Sequence, residues 1–166
     1  MLVSVPPRPP RAPSLRLAFV SVLLALSLGF LPAALTFGLE PAASSRLGMS
    51  EVHVPPWVFI AVWAIIYSGM GLAAWSLTAQ LDKRSSATGV PLAVLCAAFL
   101  ISLTFWLTNS LRMTATIDAI NAILAIMTLW VVSRYSTSAA RYLVPYAVWM
   151  PITLLIKLVA ISRGGA

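Results

Sequence analysis

Acidic side chains are nearly missing from this chain of 166 residues: four Asp and Glu stand against eleven Lys and Arg, and charged residues of both signs make up only 9%. Ordinary soluble domains carry about 25% charged residues, so a water-exposed globular fold is excluded. One cysteine and one histidine remove two further classes, the disulfide-stapled scaffold and the thiolate or imidazole metal cluster. Cys96 also lies inside an apolar run. The basic residues are scattered among polar connections rather than clustered, which argues against nucleic acid and for flanks that face anionic lipid.

What is present is apolar. Hydrophobic residues make up 60% of the chain, and the mean hydropathy is +0.95. From Pro55 to Trp75 the sequence reads PPWVFIAVWAIIYSGMGLAAW, without a charge and with three tryptophans. At about 1.5 Å rise per residue such a run crosses the ~30 Å hydrocarbon core of a bilayer as a helix. Five segments of this kind are separated by short polar punctuation: Leu17 to Phe37, Trp57 to Leu77, Val90 to Leu107, Ile117 to Val132 and Leu143 to Ile161. The fourth is the shortest, because Asp118 and Asn121 fall in its first turns. The expected fold is therefore all-α, a five-helix integral membrane bundle over residues 17–163. A basic, proline-rich tail precedes it at residues 1–16, and residues 164–166 form a short tail after it. The first tail has five prolines, three arginines and no acid, a composition that cannot bury a core.

With the N-terminus on one side, that side collects seven Lys and Arg and the other three, which places the N-terminus in the cytosol or its equivalent. The same threading puts the long connection from Gly38 to Pro56, the Ser110 to Thr116 loop and the C-terminal end together on the opposite side. Asp118 and Lys157 then lie at similar depth on spans four and five. An intramembrane charge is expensive alone, which makes the two a natural pair; a snorkelling Lys157 with a helix-capping Asp118 is the alternative, and the sequence leaves the choice open. Ser68, Gly69 and Gly71 place small residues in mid-span, where they allow close helix approach. Ala93, Ala97 and Ala98 on span three would permit a homodimer face by the same argument. Pro145 and Pro151 are expected to bend or loosen span five.

The aromatic residues divide by depth. Trp57, Trp75, Tyr135 and Tyr142 sit at span ends, as in an interfacial belt. Trp63 and Tyr67 lie deeper and are four residues apart, about 40° around a helix. Tyr142, Tyr146 and Trp149 follow i, i+4, i+7 spacing, and Lys157 lies about 20° from the same stripe. Two aromatic stripes in one small bundle suggest a lined pocket.

These residues carry a resemblance. The run PPWVF followed by VWAIIYSGMGLAAW, and VPYAVW at Val144 to Trp149, resemble the tryptophan-rich sensory protein and peripheral-type benzodiazepine receptor family, also called translocator proteins. Five spans, a long first loop, an Asp near the start of the fourth span and VPY in the fifth fall in the family's order. The resemblance implies a bundle that binds tetrapyrroles such as protoporphyrin IX or haem beneath the first loop, with no cofactor required. Carried over, the ligand-binding positions are Trp57, Trp63, Tyr67, Tyr146 and Trp149, with Pro55, Pro56 and His53 at the loop entry. Arg112, Asp118 and Lys157 would form a polar mouth for propionates. This chain has His53 where the family commonly has a tryptophan, and Lys157 where it has an asparagine.

Three functions stay open on this reading. One is a membrane sensor or carrier for porphyrins and related amphiphiles, the second an enzyme that degrades porphyrin photo-oxidatively, and the third a structural or assembly protein without a ligand. The residues offer no nucleophile with its base and no paired carboxylates, which weighs against an enzyme. The host membrane is a bacterial or archaeal plasma membrane or an organellar one.

Overall fold

The computed structural model of the chain describes residues 14–37, 56–81, 89–104 and 110–163. All five expected spans are helices: α1 (Leu15–Phe37), α2 (Pro56–Leu81), α3 (Gly89–Leu103), α4 (Leu111–Tyr135) and α5 (Thr137–Ser162). No strand occurs among the described residues. Most of the predicted N-terminal tail, the long first connection with His53 and Pro55, the end of span three at Leu107 and the last three residues lie outside the described residues. Ser14 accepts from the Leu17 amide through Oγ at 3.3 Å and so opens α1 within the tail predicted for residues 1–16.

Four of the helices are long and apolar enough to cross a membrane; α3 has 15 residues. Their outward faces carry large apolar side chains, among them Leu24 and Leu31 on α1, Ile60 and Ile65 on α2, and Ile123, Ile126 and Trp130 on α4. That is the distribution a helix adopts when its solvent is lipid.

Neighbour relations make a closed circuit. α4 packs most extensively on α5, α5 on α2, and α2 on α1, while α3 touches α4, α2 and α1. Lipid supplies no hydrophobic force between helices, so close approach has to come from small side chains. A Cβ on Gly69 would collide with the backbone carbonyl oxygen of Tyr142 on α5. A Cβ on Gly71 would stand 2.7 Å from the Ser21 carbonyl oxygen on α1. Gly29 on α1 leaves room for the Tyr67 ring, whose Cγ would lie 2.6 Å from a Cβ there. The small residues of α3 divide: Ala98 is buried in the core, whereas Ala93 and Ala97 face outward.

Two elements differ from expectation. The fourth span is not short: α4 runs 25 residues, about 37 Å, from Leu111. Its polar first turns are helical because their hydroxyls bond within the helix, Thr114 Oγ1 donating to the Leu111 carbonyl at 2.9 Å and Thr116 Oγ1 to that of Arg112 at 3.0 Å. Asp118 therefore does not cap α4; it lies about two turns inside it. The second difference is in α5, which begins at Thr137 rather than Leu143 and runs through Pro145 and Pro151 as one helix of 26 residues. Only Ser136 separates α4 from α5; it is extended, with φ −153° and ψ 108°, and its Oγ accepts from the Ala139 amide at 3.2 Å.

Candidate functional site

The interior face of α2 is aromatic. Trp63 and Tyr67, one turn apart, are 2% and 0% exposed, and their rings lie 5.1 Å apart at a 35° tilt. Phe30 of α1 meets Tyr67 edge-on at 5.6 Å, and Phe99 of α3 does so at the same distance and 64°. Rings at these separations and angles favour contact of positive edge with negative face. Tyr146 of α5 is buried in the same cluster at 1% exposure, and Trp149 packs against it half-buried. The Trp149 indole Nε1 is itself buried, with no hydrogen-bond partner among the described residues.

Beside the rings runs a polar seam on α4. Thr114, Asp118, Asn121 and Thr128 are each at most 1% exposed. Spacings of four, three and seven residues put them on one side of the helix, facing inward, while Ile120, Ile123 and Met127 face out. Lys157 Nζ meets Asp118 Oδ2 at 2.5 Å, with both side chains almost fully buried. Tyr146 Oη donates to Asn121 Oδ1 at 3.1 Å. The seam and the rings thus meet at Tyr146, whose ring belongs to one and whose hydroxyl to the other.

Of the residues expected to line a site, the structure brings Trp63, Tyr67 and Tyr146 together, places Trp149 against them, and pairs Asp118 with Lys157. Trp57 is not among them; it is 70% exposed. Six residues before Trp63, it points about 120° away around α2. Arg112 is exposed as well, on the far side of α4 from the buried seam. Pro56 opens α2, as suits a residue without an amide hydrogen at a first helical position. His53 and Pro55 lie outside the described residues. The sequence reading missed Asn121, Phe30 and Phe99 as members of this interior. Asn121 was detectable, since Thr114, Asp118, Asn121 and Thr128 recur with helical period in an otherwise apolar segment; the two phenylalanines carry no such signal.

Helices of this length and apolarity, packed in a circuit about a buried polar seam, define an integral, multi-pass membrane protein. The TspO/MBR family model matches residues 17–161, most of the chain, and the protein belongs to that family. Membership supports a membrane sensor- or transporter-type role. A comparison with curated proteins finds no match.

Proposed function

We propose that the bundle is a sensor or carrier that binds flat amphiphilic tetrapyrroles, protoporphyrin IX or haem, between α2 and α5. The observation that supports this best is the buried ring cluster of Trp63, Tyr67 and Tyr146, joined through the Tyr146–Asn121 hydrogen bond to the α4 seam that carries the Asp118–Lys157 pair. A porphyrin has the matching division, an apolar disc with faces that stack on Trp and Tyr and an edge bearing carboxylates. Trp149, half-buried against the rings and carrying a buried N–H donor, is the side chain at which stacking is gained with least disturbance of the core.

The test is a titration of the detergent-solubilised protein with protoporphyrin IX, following tryptophan quenching in the dark. Saturable quenching is expected, weakened about tenfold by Trp149→Ala, which is about 1.4 kcal/mol and close to what an aromatic contact contributes. Trp130→Ala, on the lipid-facing surface, is the control and leaves affinity unchanged. Equal, non-saturating quenching in all three proteins would mean partitioning into the micelle and would remove the reading. A parallel illuminated sample separates binding from photo-oxidative loss of pigment.

A further inference from the structure

The Asp118–Lys157 pair is neutral as a whole and buried in the bundle, its side chains 2% and 5% exposed. Three residues along α4, Asn121 is wholly buried, and its carboxamide oxygen is engaged by the Tyr146 hydroxyl at 3.1 Å. That bond fixes the amide and leaves its Nδ2, which carries two N–H donors, without a partner among the described residues. A buried donor of this kind is costly to leave unmet. The Lys157 ammonium brings further positive charge to the same seam, and the one carboxylate among the described residues, Asp118, already faces it. What the Asn121 amide lacks among the described residues is an acceptor, and beside an ammonium an anionic oxygen suits that N–H better than a neutral one.

Charge balance decides what else must happen. A carboxylate added to the pair would leave two anions against one ammonium in a low-dielectric interior, which is strongly unfavourable. No other described group offsets it. From α5, Tyr146 donates to the seam at Asn121, while Tyr67 of α2 packs against rings of α1 and α3; Arg16 on α1, Cys96 on α3, Arg112 and Arg134 on α4, and Arg141 and Arg163 at the ends of α5 are exposed. Neutrality is restored when Asp118 takes up one proton from bulk water. The incoming carboxylate then pairs with the Lys157 ammonium, Asp118 becomes a carboxylic acid, and the net charge of the site is zero before and after.

We infer that the α4–α5 seam seats the carboxylate of an anionic amphiphile between Lys157 and Asn121, and that seating it draws one proton from solvent onto Asp118. The inference rests on the proposed tetrapyrrole binding for the body of the ligand and adds the requirement for an acid group and a proton. It makes uptake of the ligand proton-coupled.

Protoporphyrin IX and its dimethyl ester, the same ring with and without acid groups, separate the two claims. Binding of each to the full-length protein in detergent is followed between pH 7 and 9, with an indicator dye in weak buffer reporting protons. The diacid is expected to take up about one proton per ring bound, and its Kd to rise about tenfold per pH unit, as linkage requires. The diester shows neither effect. In Asp118→Asn the diacid still binds, with proton uptake and pH dependence both lost. Should that variant fail to fold, the double variant Asp118→Asn with Lys157→Asn, which buries no charge, is expected to bind the diester as the native protein does and the diacid at least tenfold more weakly. Diacid binding without proton uptake in the native protein, uptake that persists in Asp118→Asn, or a double variant that keeps its diacid affinity overturns the inference and leaves tetrapyrrole binding standing. Binding of neither ring removes both.

Discussion

The α1–α2 contact and the α4–α5 contact lie in one bilayer and are held by opposite means. Between α1 and α2 the backbones close on each other at Gly71, Gly29 leaves room for the Tyr67 ring, and Phe30 and Trp63 pack on that ring. Between α4 and α5 the contact is built on an ion pair, a Tyr–Asn hydrogen bond and buried threonines. Dispersion between close-packed surfaces tolerates small changes gradually, whereas a buried charge that loses its partner is left with its whole desolvation penalty. The two halves should therefore respond to substitution very differently.

The largest effect is expected at the ion pair. Lys157→Ala leaves Asp118 buried and unpartnered in the seam and should destabilise the bundle by about 3–5 kcal/mol in a detergent unfolding titration. Exchanging both charges, Asp118→Lys with Lys157→Asp, should recover part of the loss; no recovery would show that the two residues act independently. Next comes Gly71→Val, which drives a side chain against the Ser21 carbonyl of α1, a backbone atom that cannot swing aside. About 1–3 kcal/mol is expected there, seen as a lower thermal midpoint. If Gly71→Val is neutral, the contrast between the two halves loses its packing side. The smallest effect belongs to Tyr146→Phe, which removes one interhelical hydrogen bond while keeping the ring. About 0.6 kcal/mol is the usual worth of such a bond in a membrane, and a far larger value would mark Asn121 as an organising centre of the interior.

Much of this arrangement was legible in the sequence, and what was not has particular causes. Apolar runs between polar punctuation located all five helices, because lipid demands continuous apolar faces. Threading placed Asp118 and Lys157 at similar depth but left a snorkelling Lys157 and a capping Asp118 open beside the pair; the packed structure selects the pair. The start of α4 was placed six residues late because hydropathy counts a hydroxyl as polar even when, as in Thr114 and Thr116, it is satisfied by its own helix. Trp57 was read by depth as an interfacial residue, in keeping with its exposure, and only its place in the family's motif set it among the ligand-binding positions; rotation about the helix turns it away from Trp63. Phe30 and Phe99 were unreadable for a different reason: in a membrane helix a phenylalanine suits the core and the lipid equally, so only the packed structure separates them.

The one-residue connection at Ser136 bears on how the protein is made. Asp118 emerges from the ribosome 39 residues ahead of Lys157, on the order of 2–8 s at ordinary synthesis rates. During that interval α4 carries a lone charge that a membrane centre resists by about 2.5–3.5 kcal/mol. With no loop between them, α5 follows without delay, and the two helices are suited to settle in the bilayer as a single hairpin that cancels its own charge on arrival.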